Sequence, residues 1–185
     1  SSINNNCGTS LSEYFSNITV NSSNNKTIIF NNILKIFYEM LCCIEILHES
    51  GFLCVKPSEN IFVIDNGANK LGNIKTHKFI NDKTQKLLVK IVDFSSVRKI
   101  GFETKDDKLF QKEKPNNWAK FSKKMIKLKG LKFTPYHDIF LLGQHFKTIL
   151  ESKNIEESFY EKLSFKTIID KMCNKDPLKG YQDIH

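Results

Sequence analysis

Two short stretches carry residues of kinds that do chemistry. The first is Lys56-Pro57-Ser58-Glu59-Asn60, a polar loop that follows a long apolar run. A polar loop held up by a buried helix is a common place for function. The second is Asp93-Phe94-Ser95-Ser96, where an alternating, β-branched run over 86–92 ends. A carboxylate at a strand end is of the type that binds hard cations. A lone Asp there is more often a turn or cap residue. Two further residues lie between the apolar run and the first loop. His48 reads as a packed core histidine. Cys54 reads as a buried thiol rather than a nucleophile, because no histidine partner is evident in the sequence.

These residues need elements to hold them. Between residues 33 and 47 only Lys35, Glu39 and Glu45 are not apolar, so a helix there is expected to be buried on most of its surface. Asn31 or Asn32 can cap its start and Gly51 fits just past its end, which predicts a helix over 32–49. A short strand follows over 59–64, then the turn Asp65-Asn66-Gly67, a polar hairpin tip over 68–84, and the partner strand over 86–92. Upstream, Ser10 can cap a short helix over 11–18 that places Leu11, Tyr14, Phe15 and Ile18 on one face. Residues 21–26 read as a polar loop, and the Asn-rich region 1–27 as partly disordered.

Downstream, Thr134-Pro135 opens a second helix, again apolar nearly all round, with Ile139, Phe140, Leu141, Leu142, Phe146, Ile149 and Leu150. A third helix is expected over 156–174, with Phe159, Leu163, Ile168, Ile169 and Met172 facing inward, ended by Asp176-Pro177. Residues 181–185 read as the start of one more. The region 97–132 is irregular and Lys-rich, with ten lysines from Lys105 to Lys132, and reads as a solvated segment with Trp118 as its anchor.

Composition narrows the class. The chain has 185 residues, enough for one domain with a sizeable core, and it opens on Ser1, so it reads as a processed product or a segment. Hydrophobic residues are 40% and charged residues 26%, ordinary values for a soluble protein. The longest unbroken apolar run, Met40 to Ile44, is too short to span a bilayer, so no membrane segment is expected. The net charge of +8 is carried by lysine, and Arg98 is the only arginine. Arginine is the usual bidentate reader of guanine, so specific nucleic-acid binding is not expected. The cysteines are Cys7, Cys42, Cys43, Cys54 and Cys173, an odd number with no CxxC pair. Free thiols in a reducing, intracellular and cytoplasmic setting are the simple reading. The sequons at Asn17, Asn21 and Asn25 are discounted as products of an Asn-rich stretch.

In this order the landmarks resemble the large, C-terminal lobe of a eukaryotic protein kinase. Ile46-Leu47-His48 and Gly51 are similar to the end of the helix before the catalytic loop, and Lys56-Pro57 with Asn60 to the end of that loop. Ile91-Val92-Asp93-Phe94 resembles the strand entering the Asp-Phe-Gly motif. Thr134 to Gly143, with Asp138-Ile139-Phe140-Leu141-Leu142-Gly143, resembles the family's central helix, and Met172 to Pro177 the helix that ends in Asp-Pro. The fold class expected from the resemblance is mainly α: a kinase large-lobe-like helical domain, with short β-hairpins around the catalytic loop, covering residues 1–185. Region 97–132 takes the place of the activation segment.

The resemblance also implies roles. Phosphoryl transfer is mostly positioning and charge neutralisation through Mg²⁺. Asp93 and Asn60 would be metal ligands, Lys56 would stabilise the transferring group, and Asp138 would tie the central helix to the catalytic-loop backbone. The departures are equally specific. The expected His-Arg-Asp piece is Phe52-Leu53-Cys54-Val55, with no base. One extra residue lies between Lys56 and Asn60, so either Glu59 or Asn60 falls at the ligand position. Ser95 replaces the glycine of Asp-Phe-Gly, and Ser122-Lys123-Lys124 replaces Ala-Pro-Glu. The arginine expected near Gly180, partner of that Glu, is absent too.

No GxGxxG pattern occurs, and the nucleotide-binding lobe of the family is not in this chain. ATP and Mg²⁺ are therefore expected only when an upstream lobe supplies their site. The expectation is a pseudokinase lobe with a scaffolding or regulatory role and a protein partner. The alternatives are a divergent, active serine/threonine kinase acting on a protein substrate, and a helical interaction module that uses its basic segment.

Overall fold

The computed structural model describes residues 8–18, 23–57, 61–64, 89–102, 132–161, 164–176 and 179–184. In chain order the elements are β1 (Thr9–Ser10), α1 (Leu11–Asn17), α2 (Ser23–Glu49), β2 (Phe52–Leu53), β3 (Phe62–Ile64), β4 (Val89–Ile91), β5 (Arg98–Lys99), α3 (Pro135–Ser152), α4 (Glu157–Glu161) and α5 (Phe165–Met172). The described chain is thus partly helical, with two small sheets.

The core forms where the apolar stripes of α2 and α3 meet. Phe30, Ile33, Phe37, Met40 and Ile44 of α2 are buried with Ile139, Leu142, Phe146, Ile149 and Leu150 of α3. Phe37 and Phe146 stack with centroids 3.9 Å apart. Further along α2, Phe30 packs against Phe159, Tyr160 and Phe165 and so brings in α4 and α5. Aromatic pairs of this kind add about 0.5–1.5 kcal/mol each beyond the area they bury. Helices α3 and α5 approach closely at Gly143, where an added Cβ would meet Met172 Cβ at 2.7 Å and Cys173 Sγ at 3.0 Å.

The first sheet has the antiparallel order β1-β3-β4, pairing Thr9 with Ile64 and Val63 with Lys90. The second pairs β2 with β5, Phe52 opposite Lys99 and Leu53 opposite Arg98. A smaller apolar cluster of Leu53, Val55 and Phe133 lies beside this hairpin, with Phe102 and Leu141 against it.

Several expectations hold in detail. Ser10 caps α1, its side chain accepting the Glu13 amide at 3.2 Å. Pro135 opens α3 after Thr134, and the Thr134 amide donates to His137 Nδ1 at 3.0 Å. Gly51 ends α2 at φ +84, a left-handed conformation that glycine adopts without strain.

Other expectations need correction. Helix α2 starts at Ser23, well before Asn32, so most of the stretch read as a polar loop is helical. Asparagine disfavours helix interiors only weakly, and packing of the next turns overrides it. The helix is also less buried than its composition suggested: Tyr38 and Ile46 lie on an exposed side. By length and composition alone, Lys26–Glu49 meets the requirement for a membrane-crossing helix, contrary to the reading from its longest unbroken apolar run. Its other side is packed in the core, as a central helix of a globular domain would be.

The expected third helix is two, α4 and α5, with Ser164 at φ +58 opening the second. Ile168, expected inward, is 44% exposed. Residues 181–184 are not helical, and Thr9–Ser10 and Arg98–Lys99 are strands inside regions read as loose or irregular. The hairpin tip over 68–84, Trp118, Leu163 and most of the Lys-rich segment lie outside the described residues.

Candidate functional site

The site is built at the end of α2. The helix closes with the Ser50 amide donating to Ile46 O and the Gly51 amide to His48 O, and the chain turns into β2. Leu53, Cys54 and Val55 are buried, and Phe52 is exposed. Two of these backbone amides then point at one carboxylate. Cys54 N–H donates to Asp138 Oδ2 at 2.6 Å, and Val55 N–H donates to Asp138 Oδ1 at 2.7 Å. Asp138, in the first turn of α3, has no exposed surface. His48 Nε2 lies 2.9 Å from the same Oδ2.

A buried carboxylate is stable only when its oxygens are satisfied. Here three donors satisfy it, two from one loop and one from the helix before that loop. The helix-to-loop tie that the resemblance assigned to Asp138 is therefore present as geometry. The sequence reading of His48 as a packed histidine was incomplete, because the ring also bonds Asp138. Nothing local in the sequence links residues 90 positions apart.

Val55 adopts φ +69. For a β-branched residue the left-handed region is a true outlier, at a cost of order 1–3 kcal/mol. The amide held by Asp138 and the side chain packed against Leu53 and Phe133 keep it there. On the opposite side of the same peptide, Ser96 Oγ donates to the Cys54 carbonyl at 2.8 Å. Sequence reasoning missed Ser96. Its bond couples the loop after β4 to the loop after β2.

Asp93 sits in that second loop, exposed, with Oδ1 accepting the Ser95 amide at 2.8 Å. The hydrogen bonds from Ser95 hold its carboxyl below the usual carboxylate range. This is the turn geometry expected of a lone strand-end Asp. Arg98 braces the turn through Ser95 O at 3.0 Å and Val97 O at 2.8 Å. The Cys54 thiol is pushed far up, first by burial and then by the Asp138 charge. It is a neutral packing group, as read from the sequence. Lys56 follows as a half-buried residue with polar interactions of its own. Glu59 and Asn60 lie outside the described residues.

Of the three predicted site residues, Lys56 and Asp93 are thus placed on two loops joined through Ser96 and Cys54. Asp93 carries a carboxylate, a ligand of the hard type that Mg²⁺ takes. Among the described residues, no group of three or more His, Cys, Asp and Glu side chains is arranged to hold a metal ion. No protein-family model, curated protein or solved structure matches the chain.

Proposed function

We propose that this chain is the C-terminal lobe of a protein kinase-like domain that acts as a pseudokinase, with a scaffolding or regulatory role toward a protein partner. The observation that carries the reading is the Asp138 carboxylate holding the Cys54 and Val55 amides. In the kinase-like reading this is the tie that positions a catalytic loop. The loop it positions contains Leu53, Cys54 and Val55, with no group that can take a proton from a hydroxyl near neutral pH. Positioned general-base catalysis is typically worth ~10² to 10⁴ in rate, and this loop lacks it. In this reading the tie that frames the site is kept, while Leu53, Cys54 and Val55 within it are packing residues.

When ATP and Mg²⁺ are supplied with an upstream nucleotide-binding lobe, Asp93, with Asn60 or Glu59, would hold the metal, and the metal would neutralise phosphate charge. Lys56 would face the same phosphates. The test is a phosphotransfer assay with the chain in its longer parent, ATP, Mg²⁺ and a generic protein substrate. The expected result is no transfer above background. Transfer that Asp93→Ala abolishes would overturn the pseudokinase reading.

A divergent, active serine/threonine kinase is the second reading. It is favoured by one observation, the exposed and low-titrating Asp93 carboxylate. It requires Mg²⁺-dependent ATP binding by the parent protein. Calorimetry without a binding signal at millimolar ATP removes it.

A further inference from the structure

The outer face of α2 carries Lys35, Tyr38, Cys42, Ile46 and Glu49. At 3.6 residues per turn these five fall within an arc of about 80°. The arc lies opposite the side that buries Ile33, Phe37, Met40 and Ile44 in the core. Tyr38 is 56% exposed and Ile46 52%, the two large apolar side chains of the stripe. Glu49 is exposed, and Lys35 and Cys42 are half-buried.

The stripe is palindromic. Tyr38 and Ile46 stand four residues either side of Cys42, and Lys35 and Glu49 stand seven. Its two outer members have opposite charge. An antiparallel copy of the same helix, centred on Cys42, therefore sets Lys35 against Glu49 and Tyr38 against Ile46, each twice. That is the self-complementarity a two-fold axis requires. Within one chain Lys35 and Glu49 lie about 21 Å apart along the helix, so their charges complement only those of a second molecule.

We propose that this face of α2 is the interface of an antiparallel homodimer, covered by a second copy of this chain. Two contacts between Tyr38 and Ile46 bury the apolar middle, and two Lys35–Glu49 pairs at the rim fix direction and register. A parallel copy would set Lys35 against Lys35 and Glu49 against Glu49, which disfavours it. One helix face of this length buries less than about 1,200 Å², so the dimer belongs with weak, reversible associations. The face is separate from the loops that carry Asp93 and Lys56, and the inference is independent of the kinase-like reading.

The test is sedimentation equilibrium of the 185-residue chain at about 0.15 M salt. The parent should show a monomer–dimer equilibrium with a dissociation constant between about 1 and 100 µM. Lys35→Glu and Glu49→Lys should each weaken it at least about tenfold, because two attractive pairs become repulsive. The first lowers the net charge and the second raises it, so an effect of overall charge alone would move them in opposite directions. An equimolar mixture of the two variants should regain the parental affinity, since every pair across the mixed dimer is again of opposite sign. Ile46→Asp, at an exposed position, sets a charge against Tyr38 of the other copy and should weaken the dimer with the far-UV dichroism unchanged. A parent chain that stays monomeric to about 500 µM overturns the proposal, and pelleting of that monomer with phosphatidylcholine vesicles would give the face to a lipid surface instead. Parental affinity in either charge variant or in Ile46→Asp, or a mixture that does not recover, also overturns it.

Discussion

Asp138 accepts the amide proton of Cys54 at 2.6 Å across 84 residues of sequence. The same carboxylate takes the amide of Val55 and the ring of His48, so one side chain on α3 fixes both the end of α2 and the loop after it. The two amide bonds are buried and end on a carboxylate, which is the circumstance where hydrogen bonds matter most.

Asp138→Ala should therefore destabilise the fold by about 3–5 kcal/mol, because it leaves two buried amides and an imidazole N–H unsatisfied. Urea denaturation measures this as a lower midpoint. Amide exchange at Cys54 and Val55 should accelerate most. A loss below about 1 kcal/mol would falsify the role given to this carboxylate.

Val55 reverses a common ordering. In regular structure glycine is worse than alanine by roughly 0.5–1 kcal/mol. At φ +69 alanine keeps the strain that glycine relieves, while both lose the packing against Leu53 and Phe133. Val55→Gly should be less destabilising than Val55→Ala. Equal or inverted midpoints in urea would show that the left-handed backbone is not strained.

Two glycine-to-alanine changes should separate crowding from backbone strain. Gly143→Ala drives a Cβ onto Met172 at 2.7 Å and should cost about 1–3 kcal/mol by overpacking. Because the atom met is the Met172 Cβ, removing it with Met172→Gly should recover part of that cost in the double variant, measured against Met172→Gly alone. Gly51→Ala meets nothing within 4 Å, but its φ of +84 penalises any side chain. No truncation of a neighbour should rescue it. Thermal unfolding of the four variants decides the point.

His137 gives a pH dependence with a definite sign. Burial pushes its imidazole below the ordinary value of 6.5, against smaller opposing effects of Thr134 and Asp138. The unfolded chain then binds its proton first as pH falls. The contribution of this group to stability is intact above pH 6.5 and declines as pH falls from there through the folded value. His137→Asn keeps an acceptor for the Thr134 amide without titrating in this range. It should flatten the stability profile below pH 6.5; an unchanged slope would assign the effect to another group.

Asp93 gives a pH dependence of the same sign at lower pH. The Ser95 bonds lower its carboxyl, so it stays ionised into mildly acid solution. The stability it lends its turn is present above the ordinary Asp value of 3.8 and is lost as pH falls through the lowered one. Ser95→Ala removes the hydroxyl and keeps the amide. The carboxyl carbon of Asp93, followed by NMR, should titrate higher in that variant than in the parent but still below free aspartate.

How much of this was legible in the sequence depends on the range of the interaction. Ser10 as a cap, Pro135 at the start of α3 and Gly51 past the end of α2 are local signals, and each acts within one helical turn. The two strong apolar patterns became α2 and α3, because a helix with that much apolar surface must bury a face. Asp93 as a turn residue and Cys54 as an inert thiol followed from residue type and neighbours alone. Boundaries fared worse. Asn-rich residues before Asn32 continue α2, and one expected helix is split at Ser164, because packing and not propensity decides such positions.

By itself, then, the sequence determined that the two strongest apolar stretches are helical, which residues are apolar, and that no carboxylate stands in the loop 52–57. These are properties of residue type and near-neighbour spacing. Only the tertiary structure decided that Asp138 meets Cys54, that Ser96 holds the same peptide from the other side, and that His48 reaches the same carboxylate. Each of those joins groups tens of residues apart. Hydrogen bonds and charges act over a few ångströms, and only chain packing brings such groups within that range.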